Sequence, residues 1–352
     1  MDQARKDDDG LRAERSLKVT LCGYYGFGNL GDELLAEALL DSLERYGVPR
    51  SEVAMLSSDP EGSARLHGVR AVSRWSPVEV YRVLKRSETL LLGGGGLFQD
   101  ATSMRSPLYY WGVVRIALMA GARPWCAGQS VGPFESSLSE RLARSALGSC
   151  SVRGVRDAGS AELLREWGLD SRLTCDPAFS LAVPSTTGRG EFLLVNIRPW
   201  EGDLPRRTAV AACDYALSAR AAVVGLALAR EDLSVMEGLR EEGVFPAERI
   251  VLLDAGDWRD ECRTLMGAAV GVIAMRLHAS VLALLFDRPL TVVPYDPKVA
   301  GLAEAWKIPA WSGAGRLPPP GMPVKGRADE RLEFQRVFGE LCSRALLDDQ
   351  GE

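Results

Sequence analysis

Residues 269–298 read AVGVIAMRLHASVLALLFDRPLTVVPYDPK, and this stretch decides the fold. Ala269–Ala274 is short, apolar and partly β-branched, the pattern of a parallel strand buried on both faces. It runs directly into Met275-Arg276-Leu277-His278. An apolar helical pattern follows at Val281, Leu282, Leu284 and Leu285 and stops at Asp287-Arg288-Pro289. A second apolar strand, Leu290–Val293, ends at Pro294-Tyr295-Asp296-Pro297-Lys298. The stretch is one βαβ unit with charged residues at the carboxyl end of each strand. Open α/β sheets bind ligands outside those ends, so Arg276, His278 and Lys298 are expected to face one crevice.

These residue types suit an anionic substrate. Arginine offers a planar fork to a carboxylate or phosphate, and lysine supplies a point charge. Histidine exchanges protons near neutrality. The chain has two histidines, His67 and His278. A lone histidine is more commonly a helix cap or a satisfied core residue, but flanking Arg276 and downstream Lys298 turn the reading of His278 toward function.

The 352 residues suggest two domains, each with an ample core. Apolar residues make up 46% and charged residues 25%, as in ordinary globular proteins. The net charge of −5 argues against a general nucleic-acid binder. Cysteines at 22, 126, 150, 175, 213, 262 and 342 form no CxxC pair and sit mostly in apolar runs, so buried free thiols in a reducing compartment are expected. MDQARKDDDGLRAERS at the start has no apolar core of a signal peptide, and no apolar run is long enough to span a bilayer. A cytosolic or peripheral protein is expected.

Working outward, residues 1–16 are charged and expected to be disordered. The strand Leu17–Cys22 leads into Gly23-Tyr24-Tyr25-Gly26-Phe27-Gly28-Asn29-Leu30-Gly31-Asp32-Glu33 and a helix to about Tyr46. Glycines between strand and helix let backbone approach a ligand, and a helix N-terminus favours an anion. The spacing fits neither the dinucleotide GxGxxG nor a P-loop. Asp32 and Glu33 also suit a first helical turn. The strand Thr89–Leu92 ends in four glycines, Gly93–Gly96, followed by Leu97-Phe98-Gln99-Asp100. Glycines are costly to order, so close packing against ligand or against the first loop is expected there.

An apolar core helix spans 106–120, and strand Trp125–Ala127 ends in Gly128-Gln129-Ser130-Val131-Gly132-Pro133. Strand Ser151–Val155 carries Arg153 and is followed by Arg156 and Asp157, the latter a helix N-cap. Polar PSTTGRG at 184–190 reads as a linker. A second strand–helix alternation starts at Phe192–Ile197, ends that strand in Arg198-Pro199-Trp200, and closes with the opening βαβ unit and a terminal helix from Arg327 to Leu347. The expected fold is α/β, with two Rossmann-like domains facing across a cleft. Their bounds are 17–183 and 191–326, with a C-terminal helix and tail over 327–352.

Seven motifs occur in order: GYYGFGNLGDE at 23–33, GGGGLFQD at 93–100, GQSVGP at 128–133, VRD at 155–157, DPA at 176–178, MRLHA at 275–279 and YDPK at 295–298. Together they resemble the polysaccharide pyruvyl transferase family over about residues 18–300, and within it the CsaB branch, which prepares secondary cell wall polymer for S-layer anchoring. The resemblance implies a GT-B-like fold. It also implies transfer of pyruvate from phosphoenolpyruvate to a sugar as a 4,6-ketal, with release of phosphate and no metal or cofactor. The sugar implied is N-acetylmannosamine on a lipid-diphosphate disaccharide, which places the enzyme in the cytoplasm at the inner face of the membrane, as a peripheral protein.

On this reading the first domain takes the acceptor and the second takes phosphoenolpyruvate. Arg276 and Lys298 meet carboxylate and phosphate, and His278 is the general acid that protonates C3. Substrate-binding residues are expected at Asn29, Gly31, Asp32, Gly94, Gly95, Gln99, Asp100, Gln129, Arg153, Arg156, Arg198 and Tyr295. Asp32, Asp100 and Asp157 are the candidate bases. The family usually carries a histidine after the strand that here reads VVGLALARED, where this chain has Ala227–Arg230.

Two other readings compete. A nucleotide-sugar glycosyltransferase of the same fold would carry E-A-x-x-x-G-x-P, but Leu282 stands where its glutamate belongs. A noncatalytic anion or nucleotide sensor would need the crevice but not His278.

Overall fold

The computed structural model describes residues 15–100, 104–186 and 190–347. Most of the tail expected to be disordered, the middle of the expected linker and the last five residues lie outside the described residues. The described chain forms two units. The first contains residues up to Phe27, Asp32–Leu181 and the chain from Arg331. The second contains Gly28–Gly31 and Ala182–Glu330.

The first unit is a seven-stranded, wholly parallel sheet in the order β3-β2-β1-β4-β5-β6-β7. Its strands are β1 Leu17–Cys22, β2 Val53–Ser57, β3 Arg70–Ser73, β4 Ser87–Phe98, β5 Arg123–Val131, β6 Arg153–Val155 and β7 Arg172–Leu173. The helices between them are α1 Leu30–Arg45, α2 Pro60–His67, α3 Pro77–Lys85, α4 Arg105–Ala120, α5 Ser137–Gly148 and α6 Ala158–Glu166. The second unit repeats the arrangement with five parallel strands in the order β10-β9-β8-β11-β12. These are β8 Phe192–Asn196, β9 Ala222–Ala227, β10 Arg249–Leu252, β11 Ala269–Ala274 and β12 Leu290–Val292. Its helices are α7 Leu204–Ala219, α8 Arg230–Glu241, α9 Trp258–Ala268, α10 Leu277–Leu285 and α11 Pro297–Trp306. A last helix, α12, spans Arg327–Leu347. The opening βαβ stretch is β11–α10–β12, as its pattern dictates.

Continuous apolar runs become central strands because helices cover both faces; β2 is buried at every position. Each unit has its own core. Leu56, Leu90, Leu92, Val114 and Leu147 cluster in the first, and Leu193, Val195, Phe245 and Ile273 in the second. The helix at 106–120 is a core helix, with Tyr110, Val113, Val114 and Ala117 buried. Helix entries follow capping chemistry. Ser76 accepts from Glu79 N, Asp157 from Ser160 N, and Asp296 from Val299 N, with Pro77 and Pro297 in the first turns.

The structure differs from the sequence expectation in three places. β5 does not end at Ala127 but runs on through Gly128, Gln129 and Ser130 to Val131. β4 does not stop at Leu92 but runs through all four glycines to Phe98. A Cβ on Gly93 would lie 2.8 Å from Leu21 and Leu39 side-chain carbons and 2.3 Å from the Tyr25 hydroxyl. One on Gly94 would lie 3.2 Å from Leu35 and 3.3 Å from Pro177. Gly93 and Gly94 let α1, Tyr25 of the first loop and the Asp176-Pro177 turn press onto the strand, so packing against the protein, the first loop included, accounts for these two. The third difference is α11, which follows Asp296 where the sequence suggested only a strand end.

All seven cysteines are thiols rather than disulfides, and all but half-buried Cys213 are buried. Among the described residues, no helix is long and apolar enough to cross a membrane.

Candidate active site

In the second unit, chemistry collects where β8, β9, β11 and β12 end. Asn196 is the last residue of β8 and fully buried. Its Oδ1 accepts from Arg276 N at 2.8 Å, and its Nδ2 donates to Leu226 O at 2.9 Å. Arg276 follows β11 and caps α10. Its Nε donates to both oxygens of Asp232, at 2.8 and 2.6 Å, and its Nη2 to Glu231 Oε1 at 2.8 Å. Burial raises the Glu231 carboxyl, but its own main-chain N–H and the Arg276 guanidinium outweigh this and hold it below 4.5. Asp232 Oδ2 also accepts from Leu228 N at 3.2 Å, and Leu228 O accepts from Leu30 N at 2.9 Å.

Arg198 follows β8 and donates from Nη1 to the Tyr295 hydroxyl at 2.8 Å. Its guanidinium lies 4.7 Å from the Tyr295 ring centroid and 5.5 Å from that of Trp200. Burial and the neighbouring Asp296 push the Tyr295 hydroxyl above its ordinary 10.0, against the opposing Arg198 and Arg276. His278 is the second residue of α10, and Lys298 the second of α11. Both therefore stand in the first turns of helices that follow adjacent parallel strands, where the helix dipole favours an anion. Gly31 belongs to this unit, and a Cβ there would lie 2.3 Å from His278 Nδ1. Asn29 Oδ1 accepts from Gly31 N at 3.2 Å.

In the first unit, the carboxyl end of β5 and the segments after β1, β4, β6 and β7 carry a second polar group. Arg156 Nε donates to Ser130 Oγ at 2.7 Å, and its Nη1 donates to Asp176. Ser130 Oγ donates to Asp157 Oδ2 at 2.6 Å. Gln129 is fully buried, with Nε2 donating to Leu92 O at 3.1 Å and Oε1 without a protein donor. Asp32 lies in the first turn of α1, 3.6 Å from where a Gly95 Cβ would be. Gln99 immediately follows β4.

Several predicted residues are engaged structurally. Asp100 accepts from Glu135 N at 2.7 Å and Ser136 N at 2.9 Å. Burial raises its carboxyl, yet those main-chain bonds and Ser139 hold it below 3.8. Asp157 caps α6 through Ser160 N at 2.8 Å. Arg153 is not brought together with Arg156. It opens β6 and donates from Nη1 to Cys150 O at 2.5 Å, whereas Arg156 follows the strand's carboxyl end. Gly94 packs on protein, as described.

Three features escape the sequence reading. Asn196 and Asp232 orient Arg276 from 80 and 44 residues away. Glu33 is more than a helix-dipole residue. Its Oε1 accepts from Gly26 N at 2.8 Å, and its Oε2 lies 2.8 Å from Nε2 of buried His67. Arg74 is buried after β3, donates from Nη1 to Gly23 O at 2.8 Å, and has Tyr109, Phe27 and Trp75 rings within 4.3, 5.0 and 5.3 Å. It pairs with no carboxylate among the described residues, so π faces and a carbonyl stabilise the cation and fix the loop after β1.

The chain shares the fold of UDP-GlcNAc 2-epimerase from Methanocaldococcus jannaschii, with a TM-score of 0.63 over 92% of this chain and 99% of that one at 8% identity. It is similar to S. aureus MnaA in complex with UDP, at a TM-score of 0.56, 11% identity and coverage of 94% and 91%. Anabaena HepE in complex with UDP-glucose gives 0.54 at 12% identity, over 93% and 92%. The class of fold is thus GT-B-like, with two Rossmann-like units. None of the curated proteins compared matches the chain. Residues 29–297 match the family model for polysaccharide pyruvyl transferase, and the chain belongs to that family.

Proposed function

We propose that this member of the family moves pyruvate from phosphoenolpyruvate to two hydroxyls of one sugar, forming a 4,6-ketal and releasing phosphate. The observation that carries the reading is the grouping of Arg198, Arg276, His278 and Lys298 at the carboxyl ends of strands in one sheet. Phosphoenolpyruvate has a carboxylate and a phosphate. Arg198, Arg276 and Lys298 supply cations for both. Asp232 and Glu231 hold Nε and Nη2 of Arg276, which aims the remaining Nη1.

His278 gives a proton to C3 of the enol, making the methyl group, while a sugar hydroxyl attacks C2. The proton of that hydroxyl passes to a base, for which this reading keeps Asp32. The tetrahedral adduct loses phosphate, and the second hydroxyl closes on C2, its proton leaving with the phosphate. The proton taken by Asp32 returns through solvent to His278, so atoms and protons balance over the cycle without an oxidant or reductant. The glycine loops and Arg156 of the first unit are the acceptor residues on this reading. The CsaB-like motifs favour N-acetylmannosamine on a lipid-diphosphate disaccharide, and hence work at the inner face of a membrane in cell-wall biogenesis.

The test is phosphate release from phosphoenolpyruvate with and without that acceptor, in wild type and His278→Ala. Acceptor-dependent release that falls about 10²–10⁴-fold in the variant is expected. Release at the wild-type rate in the variant removes His278 from the chemistry. No release with any acceptor, together with turnover of a nucleotide-sugar, assigns the glycosyltransferase reading instead.

A further inference from the structure

The outer edge of the first unit carries a cationic cavity that this chemistry does not use. β3 is the outermost strand of its sheet. Arg70 on β3, with Arg82, Lys85 and Arg86 on and just after α3, lines a cavity of about 600 Å³ that also holds Tyr81 and Glu79. Among the described residues, none of the four cations pairs with a carboxylate. Arg86 donates to Ser16 Oγ at 2.8 Å. Glu79 accepts from Ser73 N at 3.3 Å. In a chain of net charge −5, this is a local reversal of sign.

The helix beside the cavity has a second property. Its inner face is Val80, Val83 and Leu84. Val78, Tyr81, Arg82 and Lys85 share the opposite face by helical spacing. Val78 is 57% exposed, Tyr81 40%, and Trp75, just before the cap Ser76, 62%. The Trp75 ring is held, with Nε1 donating to Ser58 Oγ at 3.4 Å and the Phe27 ring edge-on at 6.2 Å.

We propose that this face adsorbs to an anionic phospholipid bilayer, with lipid phosphates entering the ring of four cations and Trp75, Val78 and Tyr81 resting in the headgroup boundary. Cations alone are accounted for by solvation, or by the protection an edge strand needs against pairing with another chain. The Arg74 cation, 5.3 Å from the Trp75 ring, accounts for that ring's inner face, but not for its 62% exposure or for the 57% exposure of Val78. Exposed aromatic and aliphatic side chains beside arginine and lysine are the composition of a helix lying in a membrane interface. A soluble phosphate compound would meet the cations but leave Trp75 and Val78 in water. The proposal extends the lipid-linked acceptor reading. Its test contains no acceptor, so the two fail separately.

The full chain is mixed with phosphatidylcholine vesicles containing about 30% phosphatidylglycerol, and with phosphatidylcholine alone. Adsorption to the anionic vesicles only is expected, fading as salt rises toward about 0.5 M. A blue shift of tryptophan emission should accompany it and be lost in Trp75→Phe. Arg82→Gln with Lys85→Gln should weaken adsorption about thirty-fold, near five-fold per cation, at an unchanged melting temperature. Equal adsorption to neutral vesicles, none to either, or full adsorption by the double variant overturns the proposal. So does titration of inorganic phosphate alone into the cavity with no vesicle adsorption, which would make it a soluble-anion site.

Discussion

Gly31 has no room for a side chain because the His278 imidazole occupies that space, 2.3 Å from where a Cβ would stand. Gly31→Ala should therefore swing the imidazole and lower turnover about a hundredfold, the scale of an ångström's misplacement of a reacting group. Phosphate release checks this, and an unchanged melting temperature would separate it from misfolding. Arg276 is held more tightly than a substrate-binding residue needs to be. Its partner Asp232 is fully buried, so Arg276→Gln leaves a carboxylate in the interior without its counter-charge. A loss of about 3–5 kcal/mol in urea unfolding is expected. Asp232→Asn in the same chain should recover part of it, which a simple loss of substrate contact would not show.

At the scale of elements, Asp100 ties the end of β4 to the loop before α5 through two main-chain N–H groups. Asp100→Ala should cost about 2 kcal/mol at pH 7. Its folded-state carboxyl lies below the ordinary 3.8, so the contribution is full above that value and is lost as pH falls through the lower folded one. The gap between variant and wild type in urea unfolding should thus close in acid. The same element shows what the sequence carries. Apolar runs bounded by charge made β1, β2, β8, β9 and β11 legible, because a strand covered on both faces must be apolar throughout. The glycines of β4 read as a stop because glycine is a poor strand former, whereas Leu35, Leu39 and Pro177 pack where side chains would be. Arg276, His278 and Lys298 stood out as charges at the ends of apolar runs. Asn196, Asp232 and Arg74 did not, since one polar residue at a strand or helix end looks ordinary until a distant partner is seen. Asp296-Pro297 was a legible helix start that its role in the YDPK motif obscured.

At the scale of the molecule, the first unit is completed by α12. Phe334, Val337, Phe338 and Leu341 are buried. The Phe338 ring lies 5.8 Å from that of Trp125, and the Tyr46 hydroxyl donates to Gln335 O at 2.5 Å. A Cβ on Gly154 of β6 would meet Leu341 at 2.5 Å, so the helix sits flush on the sheet. Phe338→Ala should destabilise the first unit by about 3–5 kcal/mol, while Asp100→Ala and Phe338→Ala, in separate parts of that unit, should add. Because α12 is the last part of the chain that the first unit needs, the order of completion during synthesis is inverted. The ribosome adds every residue of the second unit before it reaches Arg331, where the part of α12 that closes the first unit begins. The earlier-made sheet must wait with Trp125 and Tyr46 uncovered for the time taken to add some 150 residues, about 8–30 s at ordinary elongation rates. A chain ending at Glu330 and released from the ribosome should therefore be cut by protease within residues 32–181 and resist it within 182–330, and chaperones should favour this protein late in its translation rather than early.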